Sequence, residues 1–410
     1  MNLFYLAHKN LLSRPLSAAL TVVLFALGVG LITFLFLLNH QLEKQFDRNL
    51  AGIDLVVGAK GSPMQLILSS IYHLDVPTGN IKIADAGFLM RHPSVAKTIP
   101  QALGDSYRGF RICGTNHAYV DLYHARLKEG YLWDKDFEVT IGSTVAQEAS
   151  LKLGDKIVSA HGIAEEGDEH KEHQYTVMGI LAPTETVLDQ LVLTSVASVW
   201  AMHRHENTAE KGAELAPDSV RSADDLQREI TTLLVFYKNK SSLTALNLPR
   251  LINQNTPMQA ASPVMETARL YQLMGSGFQL FEWLAYLIAI VSAFSVFIAL
   301  FNALRARRYE LAVMRVMGAS RSKLFRSIII EGLFMALGGT IVGLGLAHFA
   351  VHSLSWLFSK TWHYGFTGKL FLPSEFVIVG VALSIGFLAA ILPAIQAAKT
   401  DISTTLSSSI

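Results

Sequence analysis

Long apolar runs and mixed polar stretches alternate along this chain. Almost uncharged runs occupy residues 16–38, 283–303, 328–349 (extending to 358) and 376–396. At ~1.5 Å per residue, a helix of this length covers the ~30 Å hydrocarbon core of a bilayer. The first run is too long for the ~7–15 residue core of a signal peptide, and no clear cleavage site follows it. The pattern therefore predicts four transmembrane helices.

The region between the first and second runs has the polarity of a water-soluble domain. Turn residues and charges separate short apolar stretches that are typical of strands, and two stretches have helical periodicity. We expect an α+β domain in two lobes, one from residues 40–110 with 225–265 and the other from an insertion of about 111–224. A helix over 264–279 would form a stalk. The predicted strands are 53–57, 139–141, 156–158, 175–178, 191–193 and 233–237, and the predicted helices are 64–72 and 242–253.

The predicted fold class is a membrane α-helical protein with four transmembrane helices and a large extracytoplasmic α+β domain between the first and second spans. The composition agrees with such a mixture, with 51% hydrophobic residues, 16% charged residues and a mean hydropathy of +0.34. The predicted segments are 1–38 (N-terminus and first span), 39–275 (α+β domain and stalk), 276–303 (second span), 304–326 (coupling segment), 327–358 (third span), 359–375 (outer loop) and 376–410 (fourth span and C-terminus).

The segment 304–326 is strongly basic. It contains seven basic residues and a single acid, Glu310. Short loops with such an excess remain on the cytoplasmic side of the membrane. We therefore expect both termini in the cytoplasm and the α+β domain outside. The basic residues are Arg305, Arg307, Arg308, Arg315, Arg321, Lys323 and Arg326.

The same segment has the pattern of a short helix. Glu310 lies in its first turn, Gly318 can end it in the left-handed conformation, and Ser320 can cap the next helix. Its apolar residues recur at helical spacing: Leu311, Met314 and Met317. A helix with an apolar face and an arginine face is suited to pressing against a partner. The alternative is a loop that only obeys the charge rule.

Two sets of residues carry a resemblance to a known family. The stretch RRYELAVMRVMGASRSKLFRSIIIEG resembles the basic segment of FtsX-like permeases, in particular the MacB-type (type VII) permeases of ABC transporters, and the ending LPAIQAAKTDISTTL resembles their C-terminus. The domain stretches IGSTVAQEASLKLGDKI and YTVMGILAPT are a looser match. The matching residues are Arg308, Glu310, Arg315, Gly318, Ala319, Ser320, Glu331, Pro393, Ala394, Ala397, Lys399 and Leu406, with Gly142, Ala146, Leu153, Gly154 and Asp155 in the domain.

The resemblance implies a multi-pass inner-membrane permease that forms a homodimer and binds a separate cytoplasmic ABC ATPase. In such a system residues 308–320 would dock into a groove on the ATPase, with Leu311, Met314 and Met317 filling the groove and arginines meeting an acidic surface. ATP and Mg would belong to the partner subunit, because the chain has no G-x-x-x-x-G-K-[ST] sequence. A periplasmic or outer-membrane partner is a further expectation.

Three residues of the third span are candidates for a special role. Gly339 and Gly343 form a small-xxx-small pair that lets another helix approach closely. Glu331 is an acid within the first turns of the span, where an ionisable residue is a functional candidate. The resemblance implies that it couples the span to the basic segment, and the simpler alternative is an interfacial acid at a helix N-terminus.

The chain has 14 histidines, some of which are candidate metal ligands. His161, His170 and His173 lie in a loop that is also rich in acids, and imidazole with carboxylate suits zinc-like divalent metals. His348 and His352 lie four residues apart, on one face of a helix. The spacing matches no defined metal motif, and a solvated loop is the simpler interpretation.

Several classes of function can be separated on these grounds. The net charge of +1 gives no attraction to nucleic acid, and Cys113, the only cysteine, excludes an intrachain disulfide. The sequence contains neither a G-x-S-x-G nor an H-E-x-x-H motif, so neither pattern indicates an enzyme. We expect a permease that transmits ATP-driven motion of its partner to the outer domain for export or extraction of a substrate. The alternatives are metal transport or sensing, and regulation of a periplasmic cell-wall hydrolase.

Overall fold

The computed structural model describes residues 3–13, 15–161, 174–203, 228–359 and 366–399, which form two compact units. Met1–Leu42 with Met274–Ile410 form the first, here called the membrane unit, and Glu43–Leu273 form the second, here called the α+β domain. The helices are α1 (Leu3–Leu12), α2 (Pro15–Leu50), α3 (Pro63–Ser70), α4 (Ile83–Met90), α5 (His117–Leu122), α6 (Ser143–Glu148), α7 (Val196–His203), α8 (Leu243–Asn255), α9 (Pro263–Ala306), α10 (Arg308–Val316), α11 (Arg321–Ser359) and α12 (Pro373–Ala398). The strands are β1 (Leu55–Ala59), β2 (Ile81–Lys82), β3 (Val95–Tyr107), β4 (Phe110–Thr115), β5 (Leu127–Gly130), β6 (Glu138–Ile141), β7 (Lys156–Ile157), β8 (Ala160–His161), β9 (Tyr175–Leu181), β10 (Leu191–Ser195), β11 (Glu229–Ile230), β12 (Thr232–Tyr237) and β13 (Met258–Ala261).

Four described helices are long and apolar enough to cross a membrane. They are Pro15–Leu50, Gln279–Ala306, Arg321–Leu354 and Pro373–Ala398. The α+β domain lies between the first and second of them in the chain, which confirms the predicted fold class. The helix that holds the first span is longer than the apolar run, because the polar residues after Leu38 stay helical to Leu50.

Small residues set the close packing of α11 in the membrane unit. A Cβ atom built on Gly343 would lie 3.0 Å from the backbone nitrogen of Gly30 in α2, and one on Gly339 would lie 2.7 Å from Cβ of Phe25. On the side of α12, a Cβ on Gly332 would lie 2.7 Å from Cβ of Ala390. Dispersion contacts between closely approaching backbones stabilise helix pairs where lipid supplies no hydrophobic driving force. Gly339 and Gly343 therefore lie at a helix contact, as their spacing indicates.

The α+β domain is built on one mixed sheet. Its strand order is β13-β1-β12-β3-β4-β10-β6-β9-β5, with β7 also paired to β9 and β8 to β3. All six predicted strands are present within two or three residues at their ends. The helix predicted over 242–253 is α8, which Ser242 caps through a 3.1 Å bond from the Ala245 N–H to its hydroxyl.

Strand β3 was not predicted from the sequence, although it lies at the centre of the sheet. Pro100 and Gly104 lie inside it, and both residues disfavour strand interiors. Pro100 pairs with Leu233 of β12, and the pairing with β4 shifts between Leu103 and Ser106, around Gly104. Strands from both predicted lobes join through β3 and β4, and one hydrophobic cluster contains residues of both. The division into two lobes stays a prediction.

Aromatic residues hold the ends of α2 and α9 within the α+β domain. The ring of Phe46 in α2 packs edge-on against Tyr72 and Tyr271, with centroid distances of 5.0 and 5.5 Å. The buried Asn49 adds two hydrogen bonds, because its carbonyl accepts from the Tyr123 hydroxyl at 3.0 Å and its side-chain oxygen accepts from the Val187 N–H at 3.1 Å. These contacts fix the end of α2 to the core of the domain.

The imidazole of His73 lies partly buried against the core of the α+β domain. Its Nε2 lies 3.0 Å from the hydroxyl of the fully buried Tyr119. Desolvation, with a smaller contribution from the positive charge of Arg111, lowers the pKa of His73 to about 3. In the unfolded chain the same imidazole titrates near its ordinary pKa of about 6.5. Between these values the unfolded state binds the extra proton, so stability falls as the pH falls below about 6.5.

Substitutions at two glycines of α11, Gly343 and Gly345, test the helix packing. We expect Gly343→Leu to destabilise the membrane unit by about 1–3 kcal/mol, because the new side chain meets the backbone of α2. Thermal unfolding of the purified protein in detergent measures the loss. Gly345→Leu is the matched control, since no heavy atom lies within 4 Å of a Cβ placed there. Equal losses in the two variants would contradict the proposed contact.

The burial of His73 predicts acid sensitivity of the α+β domain. From pH 7.5 to pH 5 we expect the domain to lose about 2 kcal/mol of stability, the cost of keeping His73 neutral. The His73→Asn variant would lack this titration, and an asparagine side chain tolerates the left-handed backbone of the site, where φ is 54°. The measurement is the reactivity of the buried Cys113 with a dithiodipyridine reagent, which works in acid. The ratio of rates at pH 5 and pH 7.5 should be about thirtyfold larger in wild type than in His73→Asn. The same ratio in both would contradict the assignment.

Candidate functional site at the basic segment

The basic segment forms the short helix α10, as its sequence predicts. Glu310 lies in the first turn of α10 and Arg315 in the last, which suits the helix dipole. The helix ends through Gly318, whose φ of 94° is the left-handed conformation that glycine adopts without strain. The Ser320 hydroxyl then accepts the Lys323 N–H at 3.3 Å at the start of α11. These contacts confirm the predicted helix end and cap.

Glu331 connects three helices at this site. It is 2% exposed, and both of its carboxylate oxygens are hydrogen-bonded. The side-chain amide of Asn10 in α1 donates to Oε1 at 2.6 Å, and the guanidinium of Arg307, between α9 and α10, donates to Oε2 at 3.0 Å. Removal of Arg307 would leave the buried carboxylate without its cation, and removal of Asn10 would leave one of its oxygens without a donor, so the three residues act as a unit. We call this set the Glu331 clamp.

The two sides of α10 face different surroundings. Leu311 is 7% exposed and Ala312 is fully buried, and Leu311 packs in the hydrophobic cluster of the membrane unit. Met317 is 74% exposed, and Tyr309 and Val316 are more than half exposed. Packing within this chain therefore covers most of Leu311, and its place in a groove on a partner stays a prediction.

A groove lies between α1, the end of α9, α10 and the start of α11. Its volume is about 350 Å³. The clamp residues line its polar part, and we call it the α10 groove. Its lining residues are Leu6, Asn10, Leu304, Arg307, Tyr309, Glu310, Leu311, Val313, Met314, Met317, Ser327, Ile328 and Glu331. Met314 thus lines a groove of this chain instead of projecting from it.

The other predicted coupling residues lie around α10. Arg308 is exposed, whereas the guanidinium of Arg315 donates to the backbone oxygen of Ala398 at 3.4 Å, at the end of α12. Ala319 closes the turn after α10, since its N–H donates to the carbonyl of Met314 at 2.9 Å. Sequence reasoning did not identify Asn10 as part of the site. The apolar spacing of Leu3, Ala7 and Leu11 could have indicated α1, but not its partner.

The histidines do not converge in the part of the chain that the structure describes. His348 uses both ring nitrogens, with Nδ1 2.8 Å from the carbonyl of Gly368 and Nε2 3.1 Å from the carboxylate of Glu375. Both nitrogens of His348 are therefore engaged within this chain, and the metal pair with the exposed His352 stays a prediction. Among described residues, no three histidines, cysteines or acids are grouped as metal ligands. The side chain of His161, and the whole of His170 and His173, lie outside the described residues.

Comparison with known families agrees with this architecture. The profile of the MacB-like periplasmic core domain matches residues 18–233, and that of the FtsX-like permease C-terminal region matches residues 283–402. The first match covers more than half of the chain, which therefore belongs to the FtsX-like, MacB-type permeases. It is a permease component of an ABC transporter and an integral protein of the inner membrane, and its family associates with an ABC ATPase.

Other comparisons add little. The crystal structure of the periplasmic region of MacB from Actinobacillus actinomycetemcomitans is 12% identical to this chain, with a TM-score of 0.34 over 54% of this chain and 94% of that one. At this score the likeness adds nothing to the assignment, which rests on the two profile matches. No curated protein matches the chain.

The Glu331 clamp predicts that a single substitution destabilises the attachment of α10 more than a double substitution does. Arg307→Met should destabilise the attachment of α10 by about 3–5 kcal/mol, because it leaves the carboxylate of Glu331 buried without its cation. Adding Glu331→Gln should recover most of this loss, since the double variant has neither charge. Hydrogen exchange of the α10 amides, followed by mass spectrometry, measures both effects.

The matched control for the clamp is Arg308→Met. Arg308 is adjacent to Arg307 but exposed, so its loss should change α10 exchange little. If Arg307→Met and Arg308→Met have equal effects, the clamp does not hold α10.

Proposed function

We propose that this permease takes up the motion of a partner ABC ATPase at α10 and passes it through the transmembrane helices to the α+β domain. The observation that carries the proposal is the double character of α10. One side is fixed by Leu311, Ala312 and the Glu331 clamp, and the other presents the exposed side chains of Arg308, Tyr309, Val316 and Met317. Because one side of α10 is fixed to this chain, movement of an ATPase bound to the other side would also move the helices that hold α10.

Local structure supports transmission in both units. In the membrane unit, Glu331 joins α10 to α11, and the glycine contacts join α11 to α2 and α12. In the α+β domain, Phe46 and Asn49 hold the end of α2 in the domain core. Close-packed interiors change between discrete arrangements and deform little, so a displacement at one end of such a helix is not absorbed locally.

The charge pattern gives the proposed orientation. The exposed basic residues Arg308, Arg321, Lys323 and Arg326 surround α10, and such short basic segments stay in the cytoplasm. Both termini would then be cytoplasmic and the α+β domain would be periplasmic. ATP and Mg would be bound by the partner ATPase, and two copies of the permease would form the functional dimer.

The proposed action on substrate is mechanical export or extraction. Each candidate span has at most two Asp, Glu, Lys or Arg residues in its most apolar window. Such helices are poorly suited to lining a wide polar channel, because polar pores carry rows of charged or polar side chains. The movement of the α+β domain would therefore act on a substrate outside the membrane or in its outer leaflet.

Charge reversal on α10 tests the ATPase contact. We expect Arg308→Glu to weaken binding of the ABC ATPase at least about tenfold, because a repulsive charge replaces an attractive one at the docking surface. The ATPase that copurifies with wild type, once identified and purified, is titrated against the permease in detergent. The weakening should decrease at high salt, which screens exposed charges.

Lys152→Glu provides the control for this experiment. Lys152 is an exposed basic residue of the α+β domain and lies outside the α10 surface. It makes the same change in net charge, so its binding should stay within about twofold of wild type. Unchanged binding of Arg308→Glu, or equal losses in both variants, would refute docking at α10.

A further inference from the structure

The α10 groove is large enough to receive side chains. Its volume is about 350 Å³. An occupant can therefore insert one or two side chains into it. The apolar lining, which includes Leu304, Leu311, Met314 and Ile328, favours an apolar side chain.

The charges around the groove distinguish a protein occupant from a lipid phosphate. The lining contains two acids, Glu310 and Glu331, and one base, Arg307, which is already paired with Glu331. A phosphate would meet unfavourable negative charge inside the groove. The unbalanced basic residues, such as Arg308 and Arg326, are exposed, where an acidic protein surface can meet them.

The geometry points to the α10 groove as the receptor for a large apolar side chain, of the leucine or phenylalanine class, that projects from an acidic surface of the partner ATPase. This inference rests on the proposed function. It adds a second contact, in which the ATPase inserts a side chain into this chain. The exposed Tyr309 and Met317 reach toward the ATPase, and the ATPase inserts a side chain between α10, α1 and α11. Because Glu331 lines the same groove, the inserted side chain would lie next to the Glu331 clamp.

Filling the groove from within tests this inference. Ser327 lines the groove and is 5% exposed, so Ser327→Phe occupies the space without changing the exposed face of α10. We expect it to weaken binding of the purified ATPase about tenfold or more, the loss typical of a blocked central contact. The control is Ser322→Phe, which adds the same side chain at an exposed position of α11 and should bind within about twofold of wild type.

The outcomes separate this inference from the proposed function. If Ser327→Phe binds like wild type while Arg308→Glu does not, docking at α10 stands and the inserted side chain is refuted. If neither variant loses binding, both are refuted. If Ser327→Phe in detergent loses binding of added phosphatidylglycerol but not of the ATPase, the groove takes a lipid and the inference is overturned. Hydrogen exchange of the α10 amides checks the fold of Ser327→Phe, and unchanged exchange shows that misfolding does not cause the loss of ATPase binding. An equal loss of binding in Ser327→Leu, whose side chain is smaller, supports the same conclusion.

A crosslink identifies the inserted side chain. A photoreactive benzoylphenylalanine at position 309, on the rim of the groove, should label the ATPase at a peptide with an exposed leucine or phenylalanine beside acids. Replacing that residue by alanine should weaken binding to wild type and leave the already weakened binding to Ser327→Phe unchanged, because both variants remove the same contact. Additive losses would contradict insertion into the groove.

Discussion

The buried carboxylate of Glu331 is the interaction on which the candidate site depends. In a low-dielectric environment an ionised carboxylate is costly unless its oxygens are paired, and here Asn10 and Arg307 pair them. These two donors come from different parts of the chain, so the requirement to satisfy one acid fixes α1 and the start of α10 against α11. A buried ion pair contributes less to net stability than to a defined arrangement. Here the defined arrangement is that of α1, α10 and α11 around one carboxylate.

Small residues serve the same purpose inside the membrane unit. The approach of Gly343 to Gly30, and of Gly332 to Ala390, places α11 close to α2 on one side and to α12 on the other. Side chains at these positions would separate the helices and loosen the contacts of α11 with α2 and α12. The polar clamp and the glycine contacts are therefore complementary, since one fixes α10 to α11 and the other fixes α11 to its neighbours.

The α+β domain joins a mixed sheet to the ends of two long helices. The aromatic contacts of Phe46 and the hydrogen bonds of Asn49 are made within its core. The family match gives this domain the character of a MacB-like periplasmic core. The metal hypothesis gains no support from the described histidines, because His348 is occupied by Gly368 and Glu375.

The sequence alone determined the features that arise from local pattern. Apolar length predicts the four spans, and Gly318 and Ser320 predict the end of α10 and the start of α11, because caps and spans depend on neighbouring residues. Strand β3 was missed, since Pro100 and Gly104 oppose a strand locally and only the flanking strands stabilise it. The direction of Leu311 was also decided by tertiary structure, because helical spacing defines an apolar face without saying whether this chain or a partner covers it. The partners of Glu331 come from helices distant in the chain, and only folding brings Asn10 and Arg307 to the same carboxylate.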